Sequence, residues 1–160
     1  MAELTKNTTI IYIDADSCAV RNETYKVAAR YHLKVIVVAN QYLNTPLDIN
    51  IQMQVVSGNF DAADDWIIEN IKPGDILITS DILLAERAVK KNIKVIGQKG
   101  DEFDEENIGS AISGREINEH LRNLGNKKTG SSVMTKNDRS KFLGKLDQVI
   151  QKLKRENKLK

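Results

Sequence analysis

The chain has 160 residues, 41% of them hydrophobic and 29% charged, with nine glycines and two prolines. That length suits one domain with at most a small appendage, and that composition excludes a collagen-like, low-complexity or wholly disordered chain. The net charge of +2 divides unevenly: residues 1–126 carry 13 Lys/Arg against 19 Asp/Glu, and residues 127–160 carry 11 against 3.

Thr9 to Ile13 is short, apolar and β-branched, and it stops at Asp14, which predicts a buried strand. Asn22 to Tyr31 spaces Tyr25, Val27, Ala28 and Ala29 among charged residues and predicts a helix. Lys34 to Ala39 predicts a second buried strand, and Asn40 to Asn50 a loop. Ile51 to Val56 alternates and predicts a half-exposed strand, followed by a turn at Ser57-Gly58-Asn59. Asp61 to Ile71 predicts a helix stopped by Lys72-Pro73-Gly74-Asp75. Ile76 to Thr79 predicts a third buried strand, Asp81 to Lys91 a helix, and Ile93 to Ile96 a short strand closed by Gly97. Asp101 to Glu106 reads as an acidic turn, and Ile108 to Leu124 as a helix broken near Gly114. Gly125 to Ser132 reads as a loop. Asn137 to Asn157 predicts a long amphipathic helix, with Phe142, Leu143, Leu146, Val149, Ile150 and Leu153 spaced three and four apart.

Strands alternating with helices predict a three-layer α/β/α fold around a mainly parallel sheet, plus the C-terminal amphipathic helix. The longest purely apolar run, Val35 to Ala39, is far short of the ~20 residues that span a bilayer. Residues 1–9 hold no apolar core of a secretory signal, so a cytoplasmic location and no membrane partner are expected. The single cysteine, Cys18, excludes an internal disulfide and a multi-cysteine zinc cage.

In a parallel sheet, ligands bind at the carboxyl ends of the strands. Three acidic clusters fall at such ends or at the helix starts that follow them: Asp14 and Asp16; Asp61, Asp64 and Asp65; and Asp81 after Thr79-Ser80. Asp61, Asp64 and Asp65 have the spacing of one helical face. Two charges ~4 Å apart repel by about 4 kcal/mol at an effective dielectric near 20, so a proton, a cation or a metal must offset them. Oxygen-only donors suit Mg²⁺ or Mn²⁺, ions that act on phosphates. The same residues also serve as ordinary structure: Asp61 and Asp81 as helix N-caps, Asp64 and Asp65 as complements to a helix dipole, Asp16 as a turn former. Ser17, Thr79 and Ser80 are hydroxyls able to support the carboxylates. Cys18, His32 and His120 form no nucleophilic motif.

Ile11 to Cys18, Asp61 to Ile67, Pro73 to Ala85, Asn107-Ile108-Gly109 and the tail element Asp138 to Leu143 with Leu146-Asp147 resemble the YaiI/YqxD family of bacterial proteins. The resemblance runs from about Ile10 to Ile150. It implies a PIN-like domain, a fold of metal-dependent ribonucleases with acidic residues at the carboxyl edge of a parallel sheet. On that resemblance residues 1–126 form the PIN-like domain, and 127–160 form a basic loop and a C-terminal helix packed on it. Asp14 takes the first-strand position and Asp81 the later-strand position, both as catalytic residues. Asp14, Asp16, Asp64, Asp65 and Asp81 are the expected ligands of Mg²⁺ or Mn²⁺. Two departures alter the turns beside the site: Ala19 and Leu83 stand where the family usually has proline.

Two functions are therefore held open: a Mg²⁺/Mn²⁺-dependent nuclease acting on RNA, and a non-catalytic nucleic-acid or nucleotide binder on the same fold. In either, Lys127, Lys128, Arg139 and Lys141 are the expected contacts to a phosphate backbone. A phosphatase using Asp14-Ala15-Asp16 is a third, less supported option. A homo-oligomer is also left open.

Overall fold

The computed structural model describes residues 9–59, 61–114 and 134–158. The elements in order are β1 (Ile10–Asp14), a 3-10 turn (Ala15–Ser17), α1 (Arg21–Arg30), β2 (Lys34–Ala39), β3 (Ile51–Val55), α2 (Ala62–Asn70), β4 (Ile76–Ile78), α3 (Ile82–Lys90), β5 (Lys94–Ile96) and β6 (Glu102–Phe103). Residues 108–114 are helical (α4), and α5 runs Lys136–Lys158. Within the described residues these elements lie within a residue or two of the expected bounds, except β6. Most of the expected helix 108–124 and all of the loop 125–132 lie outside the described residues.

The six strands are ordered β3-β2-β1-β4-β5-β6, all parallel except the antiparallel β5–β6 pair. The chain moves outward from β1 to β2 and β3, then returns to the other side of β1 to start β4. A constant crossover hand then places α1 on one face of the sheet and α2 and α3 on the other.

The alternation of each strand sorts its side chains between two cores. Ile11 and Ile13 of β1, Val35 and Val37 of β2, and Ile76 and Ile78 of β4 pack with α1 and with Phe142, Leu146, Val149, Ile150 and Leu153 of α5. Tyr12, Ile36, Val38 and Leu77 pack on the opposite face with Ala63 and Ile67 of α2 and Leu84, Ala85 and Ala88 of α3. Full burial of each such Ile, Leu or Val contributes roughly 1.5–3 kcal/mol. The apolar stripe of α5 is thus a wall of the main core. Its start is fixed by a capping box: Asp138 N–H donates to Thr135 Oγ1 at 3.0 Å, and Thr135 N–H donates to Asp138 Oδ2 at 3.1 Å. Tyr31 at the end of α1 donates to Asp147 of α5, and Lys154 Nζ lies 5.1 Å from the Tyr31 ring centroid.

The expected acidic turn at 101–106 contains a strand. Gly97 N–H donates to the Asp101 carbonyl at 2.8 Å and Gly100 N–H to the Gly97 carbonyl at 3.0 Å, which reverses the chain into β6. Gly100 has φ +89°, and a Cβ there would lie 2.8 Å from the Lys141 carbonyl carbon of α5. Only glycine allows both that turn and that approach. At the amino edge of the sheet, buried Asp75 accepts Ile10 N–H and Lys72 N–H, each at 3.0 Å, and ties the end of the α2–β4 loop to β1. Among the described residues, no helix is long and apolar enough to cross a membrane.

Candidate functional site

The direction in which successive strands are added to the sheet reverses between β1 and β4. Their carboxyl ends lie side by side at the crevice where such sheets bind ligands. Asp14 ends β1 in the register of Tyr12, so it faces α2 and α3 rather than α1. It is only 6% exposed. Thr79 follows β4 in the register of Leu77 and meets it: Thr79 Oγ1 donates to Asp14 Oδ2 at 2.7 Å. The same hydroxyl accepts the Asp81 N–H at 3.0 Å. Asp81 caps α3, its Oδ1 accepting Leu83 N–H at 2.9 Å and Leu84 N–H at 3.4 Å. Asp64, half-buried in the first turn of α2, is the third carboxylate at this edge.

These groups act on one another. Burial pushes the Asp14 carboxyl up, the Thr79 hydrogen bond offsets part of that, and the charges of Asp81 and Asp16 add to it. Asp64 is pushed up to about 6, first by burial and then by Asp14, Asp81 and Asp61, against the pull of Arg87. Three carboxylates from β1, α2 and α3 therefore share one electrostatic neighbourhood.

The other two expected ligands are engaged by partners of their own. Asp16 is exposed in the 3-10 turn, and both its oxygens lie 3.3 Å from Asn40 N–H, fastening that turn to the end of β2. Asp65 is exposed and pairs with Arg87 of α3 at 3.0 Å. Successive helical residues point about 100° apart, so Asp64 and Asp65 serve different neighbours. No fixed spacing marks a pair between two helices, so the sequence by itself does not point to Arg87 as the partner of Asp65. Ser80 is exposed between Thr79 and the α3 cap, and Ser17 closes the 3-10 turn.

The expected basic contacts also separate. Arg139 Nη1 pairs with Glu23 Oε2 at 3.0 Å and donates to the Ala19 carbonyl at 2.9 Å, so it docks α5 onto the start of α1. Lys141 is exposed. Lys127 and Lys128 lie outside the described residues. Cys18 is partly buried, and burial raises its thiol to about 11, which leaves it a poor nucleophile.

The donors at the edge are all carboxylate oxygens, the chemistry of Mg²⁺ or Mn²⁺ sites rather than zinc sites. Among the described residues, no group of three or more His, Cys, Asp or Glu side chains is placed to hold a metal ion. Mg²⁺ is commonly held by one or two carboxylates completed by water and substrate phosphate, so the donor chemistry fits even so.

Residues 12–152 match a family model described as an uncharacterised bacterial family, YaiI/YqxD. The chain is similar to a UPF0178 protein of Caulobacter sp. (strain K31), 47% identical over 147 residues that cover 92% of this chain and 97% of the relative. It is also similar to UPF0178 proteins of Rhizobium meliloti (strain 1021), 45% identical over 91% of this chain and 100% of the relative, and of Rhodospirillum centenum, 44% identical over 91% and 97%. No solved structure matches the chain.

Proposed function

The chain belongs to the YaiI/YqxD family, and from that premise we propose that its acidic edge binds Mg²⁺ or Mn²⁺ and hydrolyses phosphodiester bonds of a nucleic acid, RNA being the first substrate to test, on a PIN-like domain. The observation that carries this reading is the gathering of Asp14, Asp64 and Asp81 at one edge, where burial first, and then the charges of Asp14, Asp81 and Asp61, push Asp64 up to about 6. A fold that holds carboxylates together at a cost to their ionisation stores an affinity for a divalent cation.

Asp14 is the central group, and Asp64 and Asp81 flank it. Thr79 orients the Asp14 carboxylate, and the α3 cap fixes Asp81. A divalent ion held there supplies Lewis acidity at the phosphate. Asp64, pushed up to about 6 without a cation, would lose its proton to complete the carboxylate set when a divalent ion binds. Lys127, Lys128 and Lys141 are the cations proposed to hold the nucleic-acid backbone.

One observation favours a second reading, a non-catalytic nucleic-acid binder: the described acidic residues form no group of three placed for metal. Calorimetric titration of Mn²⁺ into wild type and Asp14→Asn, with RNA and DNA cleavage assayed in parallel, separates the two. The nuclease reading expects micromolar Mn²⁺ binding and cleavage, both lost in Asp14→Asn with the fold retained. Undiminished cleavage by the variant overturns the site. Nucleic-acid binding without Mn²⁺ binding or cleavage transfers the function to the second reading.

A further inference from the structure

Among the described residues, β3 is an open edge of the sheet. It pairs with β2 from Val35↔Ile51 to Ala39↔Val55 and ends the strand order. Val35 N–H donates to the Asn50 carbonyl at 2.7 Å, and Val56 N–H donates to the Ala39 carbonyl at 2.9 Å. Strand alternation then turns the backbone groups of Gln52 and Gln54 toward β2, and those of Met53 and Val55 outward. Ile51 N–H is held within the chain by the Asp48 carbonyl at 3.0 Å.

Proteins usually guard such an edge with lysine, proline, a bulge or an inward charge. Ile51-Gln52-Met53-Gln54-Val55 carries no charge and no proline. Four large apolar side chains in this strand and the segment before it are exposed: Tyr42 is 68% exposed, Leu47 106%, Ile49 95% and Val55 42%. Isolated exposed apolar residues need no explanation, but four within fourteen residues that lead into and through an uncharged edge strand point to an interaction surface.

The strand also reads the same from either end: apolar, Gln, Met, Gln, apolar. A two-fold antiparallel pairing of this strand therefore sets like against like, apolar on apolar and Gln on Gln, in an isologous contact. We propose that β3 is a homodimer interface, at which two copies pair antiparallel about a two-fold axis at Met53 and join their sheets into one. Met53 meets Met53 of the second copy, Gln52 meets Gln54, and Ile51 meets Val55. The outward groups of Met53 exchange hydrogen bonds with their counterparts. Val55 N–H donates to the Ile51 carbonyl of the second copy, and the return bond from Ile51 N–H is not made because Asp48 holds that group. No like charges face each other across the axis. A strand of another protein could use the same outward groups but would gain nothing from the palindrome.

Sedimentation velocity of the full chain across the micromolar range tests this. A concentration-dependent species of twice the 18.0 kDa chain mass is expected. Met53→Pro removes an outward N–H and no inward one, so it should give a monomer with an unchanged far-UV circular dichroism spectrum. In a Cys18→Ser background, Met53→Cys should form a disulfide-linked dimer on oxidation, because antiparallel partners lie about 5.5 Å apart at Cα, within disulfide reach. Gln52→Cys, set opposite Gln54, should not. A chain that stays monomeric at its highest soluble concentration overturns the proposal. So does a dimer that survives Met53→Pro, or equal crosslinking at positions 52 and 53. If Met53→Pro fails to fold, the cysteine pair decides.

Discussion

Thr79 Oγ1 donates to Asp14 Oδ2 at 2.7 Å, and both groups are buried. The same oxygen accepts Asp81 N–H at 3.0 Å, so one hydroxyl ties the end of β1 to the start of α3. A buried carboxylate needs such a donor, because desolvation alone favours its neutral form.

Thr79→Val keeps the shape and removes that donor. It should lower stability by about 1–3 kcal/mol, the cost of a buried carboxyl left without its partner. The urea midpoint should fall with little change in slope. Asp14 should titrate still higher, since the lost bond favoured its ionised form. Thr79→Ser should restore most of both.

Asp64 titrates near 6 in the fold against an ordinary value of 3.8. A raised carboxyl contributes stability below its unfolded value and loses it as pH rises through the folded value. Wild type should therefore lose stability between about pH 4 and 6, and Asp64→Asn should lack that loss. At pH 8 the variant should be more stable by about 1 kcal/mol, a figure reduced for solvent screening of a half-buried group. Urea titrations at several pH values check this. Mn²⁺ affinity of wild type should weaken below pH 6, where the proton competes for the same carboxylate.

Asp81 serves as the α3 cap whatever else it does. Asp81→Asn should keep the cap and nearly all stability, whereas Asp81→Ala should cost about 1 kcal/mol. If Asp81 also serves the proposed cation, both variants lose Mn²⁺ binding. An Asn variant that binds Mn²⁺ as wild type does would reduce Asp81 to its capping role.

Arg139 is engaged with Glu23 and the Ala19 carbonyl. Arg139→Ala should lower stability by about 1 kcal/mol while leaving the salt dependence of RNA binding unchanged. Lys127→Ala or Lys128→Ala should leave stability unchanged and reduce the salt slope by about 1 each. Binding measured across a salt series, beside urea melts, distinguishes a docking cation from a backbone contact.

The sequence alone determined what local pattern can encode. Apolar β-branched runs marked β1, β2 and β4, and three-and-four spacing marked α5. Their alternation with helices specified a parallel α/β sheet. An aspartate directly extending an apolar strand singled out Asp14. The capping box of Thr135 and Asp138 starts α5 at Lys136, one residue before the expected Asn137.

Tertiary structure decided the rest. β6 has two residues, too few for any period, and exists through its pairing with β5. The placement of β4 beside β1 sets the crevice, and no local pattern states strand order. Asp16, Asp64 and Asp65 look alike in sequence, and the surroundings of Asp14 are not written there. Strand parity turned Asp14 toward α2 and α3, the 3-10 turn sent Asp16 to Asn40, and a rotation of about 100° gave Asp64 to the sheet edge and Asp65 to Arg87. Residue spacing fixes which face a side chain occupies, but only long-range packing fixes what that face meets.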